Sequence, residues 1–132
     1  MIAETLNGLR EITDVDVPWQ YPVTEDFHVI TYKDGFPVTE GHLLFVPRYN
    51  SVGVLSDAFE DAVRYGMGKV QSGDWDGFNI GMNFGEAAGQ TVDWPHIHLI
   101  PRRAGDVSNP RGGVRNVIPG AGDYTSLNAI DK

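Results

Sequence analysis

The sequence contains no cysteine and no long hydrophobic run. Without cysteine, a disulfide framework and any thiolate zinc site are excluded. No apolar stretch approaches the ~20 residues that a membrane-spanning helix needs, so we expect no membrane partner. The first residues, MIAETLNGLREITDVD, include several acidic residues and form no apolar signal core. Together with the lack of cysteine, they fit a reducing, cytoplasmic setting.

Positive charge is also scarce, because 10 Lys and Arg face 18 Asp and Glu, which gives a net charge of -8. Extended nucleic acid is therefore an unexpected partner, since neutralisation of phosphates dominates that kind of binding. A small phosphorylated ligand stays open, because a pocket can be locally positive in an acidic protein. Four arginines lie close together after residue 101, at Arg102, Arg103, Arg111 and Arg115. A solvated surface is the simpler interpretation of that cluster.

The 132 residues fit a single domain. We expect an N-terminal segment over residues 1–20 and a loop-rich C-terminal tail over residues 104–132, which is rich in Gly, Pro and Asn. Apolar, β-branched and aromatic patterns predict strands within 27–36, 42–47, 77–85 and 96–103. A 3.6-residue apolar period predicts a helix over 55–73, capped by Ser56 and with Phe59 on its buried face. Because no crossover helices alternate with the strands, an α+β fold with an antiparallel sheet is indicated.

His96 and His98 stand in the apolar run WPHIHLI at 94–100. Alternation along a strand puts both imidazoles on one face with Trp94, while Ile97 and Leu99 point to the core. Two satisfied polar side chains on a half-solvated strand are one interpretation. A metal pair is another, but it needs a third ligand from His28, His42 or a carboxylate. Nucleophilic chemistry at a phosphorus or acyl centre is the third.

Three segments together resemble the histidine triad (HIT) family of nucleotide hydrolases and transferases. GQTV at 89–92 followed by WPHIHLI is similar to the family's Gly-Gln-Ser/Thr-Val turn and its His-φ-His-φ-His-φ-φ core, where φ is apolar. DGFPVTEGHLLFVPR at 34–48 and NFGEAAGQTV at 83–92 resemble two further family segments. The resemblance implies a five-stranded antiparallel sheet with two helices, paired into a homodimer with a continuous ten-stranded sheet.

The resemblance also implies a nucleotide site that needs no metal cofactor, although a divalent metal on the substrate phosphates is compatible with it. His96 matches the middle triad histidine, the nucleophile that forms a nucleotidyl intermediate at an α-phosphorus. His98 matches the third histidine, which binds phosphate oxygens. Asp34 is expected to contact the ribose and Phe36 the base. Asn83, Gln90 and Thr91 are expected near phosphate or ribose, and Arg115 as a clamp on distal phosphates or on the partner subunit. His42 and Trp94 complete the expected substrate site.

Trp94 replaces the first triad histidine, and Pro95 stands at the next, apolar position. In much of the family that first histidine bonds the histidine at the position of His42, so we expect this relay to be broken and His42 to have a structural role. Trp94 can donate its indole N–H to a phosphate or a neighbour, or simply pack. Without the relay, a leaving group of low pKa is favoured, so dinucleoside polyphosphates such as diadenosine tetraphosphate are preferred to phosphoramidates. A nucleotidyltransferase and a non-catalytic nucleotide-binding module are the alternatives.

Overall fold

A computed structural model describes residues 9–125 and shows one five-stranded antiparallel sheet. The order across the sheet is β1-β2-β3-β5-β4, so the last strand in the chain lies between two earlier ones. The α+β class and the antiparallel sheet are as predicted. The strands are β1 (Pro22–Glu25), β2 (Val29–Lys33), β3 (Leu43–Pro47), β4 (Gly77–Gly81) and β5 (Ile97–Arg102).

One α-helix, α1 (Val52–Gln71), accompanies the sheet within residues 9–125, where the resemblance implied two. The other helical segments there are short 3-10 turns at Ile12–Asp14, Glu86–Ala88 and Gly113–Val117. The expected tail is loop-rich as far as the structure describes it, with that last turn as its regular element. Residues 126–132 and 1–8 lie outside the described range. No helix in the described part of the chain is long and apolar enough to cross a membrane.

The helix begins three residues before the predicted start, and Ser51 rather than Ser56 caps it. The Ser51 hydroxyl accepts a hydrogen bond from the Val54 N–H, which satisfies one of the free donors of the first turn. Phe59 is 43% exposed and does not open the buried face. Small residues spaced by four form that face instead, namely Ala58, Ala62 and Gly66. They allow the helix to lie close to the sheet.

The sheet has a core on each face. Leu43, Phe45, Ile97 and Leu99 pack under α1, together with Val29, Ala58, Ala62 and Trp75. The other face packs Ile30, Leu44, Val46 and Trp94 against Ile12 of the N-terminal segment, with Tyr32 in the same cluster. The segment therefore covers part of the second face and leaves the remainder open, beside the two histidines.

Candidate active site

Strand β5 divides its side chains between the two faces as the alternation predicts. Ile97 and Leu99 are fully buried under the helix. His96, one residue before the strand, and His98 line a cavity of about 680 Å³ on the opposite face. Their ring centroids are 5.1 Å apart. The histidine pair thus shares one small volume, backed by a packed core.

The His96 imidazole is held by the main chain. Its Nδ1 lies 2.7 Å from the carbonyl oxygen of Trp94. A carbonyl oxygen only accepts, so Nδ1 carries the proton and the lone pair is on Nε2. The Trp19 ring packs edge-on against this imidazole at a centroid distance of 4.8 Å. The His96 ring is therefore held in place by Nδ1, and the neutral imidazole has its lone pair on Nε2.

The His98 imidazole is held by side chains. Its Nδ1 lies 2.9 Å from Nε2 of His42, whose Nδ1 in turn accepts the main-chain N–H of Val38 at 3.2 Å. With Nδ1 of His42 accepting, its Nε2 carries the proton and donates it to His98, which leaves an N–H at Nε2 of His98. The Asp34 carboxylate lies 3.4 Å from His42 Nε2 and 3.8 Å from His98 Nδ1. His42 makes no hydrogen bond to Trp94 at the first triad position, but it does bond His98, so an Asp34–His42–His98 chain remains in the site.

Burial keeps the imidazoles of His98 and His42 neutral. It lowers the pKa of His98 to about 4, with further lowering by His96 and His42 and partial opposition by Asp34. Burial also lowers the pKa of His42, and the nearby Asp34 opposes that shift. At neutral pH the site therefore offers neutral imidazoles that donate N–H groups without adding positive charge.

Asp34, His42 and His98 are also the group within residues 9–125 that comes nearest to a metal-binding set, with ligand atoms within 4.8 Å of one another. A bound metal would need the lone pair of His42 Nε2. That nitrogen is protonated in the tautomer fixed by the Val38 N–H. The arrangement therefore fits a hydrogen-bond chain better than a metal centre.

Several residues predicted from the sequence line the cavity. Asp34, Phe36, Asn83 and Thr91 do so together with the two histidines. Phe36 is 91% exposed, so it lies at the rim rather than inside. One oxygen of Asp34 accepts the N–H of Phe36 at 2.8 Å, which fixes the carboxylate at the cavity wall.

Gln90 is near the cavity but its side chain is used by the loop before β5. Its Oε1 accepts the N–H of Gly85 at 2.8 Å, and its Nε2 donates to the carbonyls of Val92 and Asp93. Gly89 has φ 91°, the left-handed conformation that glycine adopts easily. Gln90 therefore shapes the loop that presents Thr91 and does not itself line the cavity.

Trp94 and Arg115 are not brought to the cavity. The indole N–H of Trp94 donates to the carbonyl oxygen of Pro47 at 2.8 Å, in a position only 5% exposed, so it is not free for a phosphate. The Nε of Arg115 donates to the carbonyl of Gly122 at 2.9 Å, and its guanidinium lies 5.6 Å from the Tyr124 ring. The Trp94 side chain is thus bonded to the end of β3, and the Arg115 side chain is bonded within the tail.

A second cavity of about 640 Å³ shares Asn83 and His98 with the first and includes His42 in its wall. Apolar side chains from the sheet and the tail form most of the remaining wall: Val38, Ile80, Met82, Ile100, Val114 and Val117. In the part of the chain that the structure describes, no Lys or Arg lines it. The two cavities thus meet at the histidine that is expected to bind phosphate.

The residues of the first cavity that sequence reasoning missed include Trp19, Tyr32 and Lys33. The Trp19 ring contacts both His96 and Tyr32. Alternation along β2 is a signal that could have placed Tyr32 on the histidine face. No local pattern indicates that the segment around Trp19 folds back over the sheet.

Comparison with known proteins agrees with this geometry. A model of the HIT domain matches residues 20–105. A HIT-like protein of Methanocaldococcus jannaschii is 36% identical over 102 residues, which are 72% of this chain and 79% of that protein. The adenosine 5'-monophosphoramidase of Saccharomyces cerevisiae is 30% identical over 96 residues, covering 70% of this chain and 60% of the yeast enzyme.

Solved structures show the same fold. A zinc-bound histidine triad family protein from Mycobacterium smegmatis aligns with a TM-score of 0.60 and 30% identity, over 64% of this chain and 67% of that one. Three observations point to the same family: the sequence segments, the sheet that presents two histidines on one face, and the extent of the match. The chain therefore belongs to the histidine triad (HIT) family.

Proposed function

We propose that the protein hydrolyses nucleotidyl compounds at the α-phosphorus through a covalent intermediate on His96. Nε2 of His96 forms a bond to phosphorus while the bond to the leaving group breaks. Water then attacks the same phosphorus, releases a nucleoside 5'-monophosphate and restores the free imidazole. The observation that carries this proposal is the bond from His96 Nδ1 to the Trp94 carbonyl, because it leaves the lone pair on Nε2 of a cavity-lining residue.

His98 supports the same reaction as a neutral donor. Its Nε2–H can bond a non-bridging phosphate oxygen, where negative charge develops as the phosphorus is attacked. The low pKa of this imidazole, about 4, keeps it from being an imidazolium at neutral pH. The Asp34–His42 pair fixes its tautomer through Nδ1.

The first cavity suits a nucleoside. Trp19, Tyr32 and Phe36 supply aromatic surface on which a base can stack. Asp34 offers a carboxylate acceptor for ribose hydroxyls at the same wall, and Thr91 and Asn83 add polar groups near the histidines. Nucleotide binding is thus supported by shape and chemistry together.

The leaving group has two candidates. A dinucleoside polyphosphate such as diadenosine tetraphosphate follows from the sequence, where the replaced first triad histidine suggests weak protonation of the leaving group. That premise is weakened by the Asp34–His42–His98 chain, which ends at the histidine that we propose binds phosphate. Among residues 9–125, Lys33 is also the single lysine or arginine that lines the first cavity, and Arg115 is bonded within the tail.

A nucleoside phosphoramidate is the second candidate, and three observations favour it. The hydrogen-bond chain can support protonation of an amine as it leaves. The cavity beyond His98 is largely apolar, and no lysine or arginine of residues 9–125 lines it, which suits an uncharged leaving group better than a polyphosphate. The yeast relative is an adenosine 5'-monophosphoramidase.

The experiment compares wild type with His96→Asn, using diadenosine tetraphosphate and adenosine 5'-phosphoramidate at equal concentrations. We expect wild type to release AMP and to gain one adenylyl group in rapid-quench mass spectra. His96→Asn loses at least ~10³-fold in turnover, since no nucleophile remains. His28→Asn is the matched control, because that histidine is exposed and lines neither cavity.

The same assay separates the alternatives. Binding without turnover by wild type would refute the proposal in favour of a non-catalytic module. Formation of ADP when inorganic phosphate is added would identify a nucleotidyltransferase. Loss of turnover with a chelator, restored by zinc or by magnesium, would identify a metal requirement; the mycobacterial relative is zinc-bound.

Pairing of two copies belongs to the same proposal. Strand β4 is at the edge of the sheet and has β5 as its one strand neighbour in residues 9–125. Edge-to-edge pairing of β4 strands would give a homodimer with a continuous ten-stranded sheet. Light scattering on the purified protein tests this, with twice the chain mass as the expected value. A cytoplasmic location stays a prediction from the composition.

A further inference from the structure

Trp94 makes hydrogen bonds at two ends. Its indole Nε1–H donates to the carbonyl oxygen of Pro47 at 2.8 Å, and its own carbonyl oxygen accepts Nδ1–H of His96 at 2.7 Å. The first bond ties residue 94 to the end of β3. The second sets the direction of the imidazole. One residue therefore connects the nucleophile to the central strand of the sheet.

The pairing of β3 with β5 offers no main-chain N–H to the carbonyl of Pro47. Strands β3 and β5 pair Phe45 with Ile97 and Leu43 with Leu99. Extending that antiparallel register by two residues sets Pro47 opposite Pro95, and proline has no N–H to donate. The ladder must end there, and the carbonyl of Pro47 would lose its partner. The indole of the preceding residue supplies the missing N–H.

The hydrogen bond from Trp94 to Pro47 is also buried. Trp94 is 5% exposed and packs with Ile12, Ile30 and Val46 under the N-terminal segment. Removal of the N–H would leave the Pro47 carbonyl buried and unsatisfied, which costs free energy unless the strand end moves. Movement of residue 94 displaces the carbonyl that holds His96. Packing and imidazole orientation are thus coupled through one peptide unit.

We infer that Trp94 is a positioning residue that fixes the tautomer and orientation of His96 through its indole bond to Pro47. The substitution at the first triad position is, in this chain, paired with Pro95: the proline removes a main-chain donor and the tryptophan replaces it with a side-chain donor. The kinetic consequence rests on the proposed role of His96 as nucleophile. The consequence for the ring of His96 does not.

The test is Trp94→Phe, which keeps an aromatic ring and removes the N–H. Wild type is expected to show His96 as a single Nδ1–H tautomer in ¹⁵N spectra of the imidazole nitrogens. Trp94→Phe is expected to shift those signals toward a tautomer mixture and to lower kcat about tenfold with KM unchanged, the size expected for a small misplacement of a reacting group. Trp75→Phe is the matched control, because Trp75 is buried in the other core, and it should leave the His96 signals and kcat at wild-type values.

Wild-type His96 signals in Trp94→Phe would overturn the inference, whatever the melting temperature. If that variant does not fold, Trp94→His provides a smaller ring with an N–H and is measured in the same way. It is expected to show a tautomer population between wild type and a free imidazole, and a spectrum identical to wild type would again overturn the inference. A tautomer shift in a protein without turnover toward any nucleotide would support the positioning role and refute the proposed function.

Discussion

The two faces of strand β5 differ in what holds their side chains. Ile97 and Leu99 lie in the apolar core under the helix, where they are held by packing against many neighbours. His96 and His98 stand beside an open cavity, and a few specific hydrogen bonds fix each ring. The face of β5 that carries Ile97 and Leu99, here called the core face, makes the site rigid. On the face that carries His96 and His98, called the site face, hydrogen bonds set the orientation of each ring. Substitutions on the two faces should therefore affect different measurements.

Within the site face, the two imidazoles differ again. His96 depends on a main-chain carbonyl, which is present whatever residue occupies position 94. His98 depends on the side chains of His42 and Asp34. A change of side chain can thus remove the support of His98 outright, whereas it reaches His96 only by moving the backbone.

Leu99→Ala should give the largest effect on the core face. Leu99 is fully buried, so the free energy of unfolding should fall by about 2–5 kcal/mol. Denaturant titration measures that loss. Because its neighbours on the strand point to the other face, kcat of the folded fraction should equal that of wild type. A fall of kcat in conditions where the variant is fully folded would show that the two faces are not separable.

His98→Gln should lower kcat and leave stability nearly unchanged, the reverse of Leu99→Ala. It removes the expected phosphate donor, and kcat should fall by about 10²-fold, as for loss of one donor to a developing oxyanion. The melting temperature should change little, since the ring is part of a cavity wall rather than of the core. Steady-state kinetics and thermal melts measure the two quantities. An unchanged kcat would remove His98 from the reaction.

Two glycines of α1 provide a matched pair for the core side. A Cβ at Gly66 would lie 2.8 Å from Cδ2 of Phe78, so Gly66→Ala should destabilise the fold by about 1–3 kcal/mol. A Cβ at Gly68 meets nothing within 4 Å, so Gly68→Ala should stabilise the helix by up to ~1 kcal/mol. Denaturant midpoints of both variants should shift in opposite directions. Shifts of the same sign would mean that Gly66 is not in close contact with the sheet.

The site face should also make stability depend on pH. The pKa of His98 is about 4 in the folded protein and near 6.5 when unfolded. As pH falls from 6.5 to 4, the unfolded chain takes up a proton that the folded state does not, so the free energy of unfolding decreases. His98→Gln should show a smaller decrease over that range, while Leu99→Ala should keep the wild-type slope. Parallel curves for wild type and His98→Gln would contradict the burial of this imidazole.

Arg115→Ala should have the smallest effect. Its guanidinium bonds the Gly122 carbonyl and lies away from the cavity lining, so KM and kcat should match wild type. Lys33→Met, by contrast, removes the basic side chain at the cavity and should raise KM for an anionic substrate. An increase of KM in Arg115→Ala would show that the tail changes its contacts when substrate binds.

The sequence predicted most of the sheet and the pairing of His96 with His98, because alternation is a local property. It also predicted the helix and part of its buried side, because Ala62 belongs to the predicted apolar period and lies in the core. Ala58 and Gly66 are buried but lie outside that period, whereas Phe59, which was expected on the buried face, is 43% exposed. Periodicity gives the angle between residues, while the choice of face depends on how close the sheet approaches.

Parts of the site depend on contacts between distant segments, and these could not be read from local patterns. The bond between His42 and His98 joins residues 56 positions apart, and the bond from Trp94 to Pro47 spans 47. Trp19 reaches His96 only because the N-terminal segment crosses the sheet. Family resemblance predicted the nucleophile at His96, and the structure places that residue in the cavity wall. The bond between His42 and His98 was not among the contacts that the resemblance implied.

The position of β5 in the sheet has a consequence for how the protein is made. This strand is the last of the five to leave the ribosome, yet it lies between β3 and β4. Until residue 102 has emerged, β3 and β4 each have an unpaired edge, and the nascent chain is at its most prone to aggregate. On insertion, β5 pairs with both strands and brings both imidazoles to the sheet in one step. The two histidines of the cavity therefore take their places only when the sheet is completed.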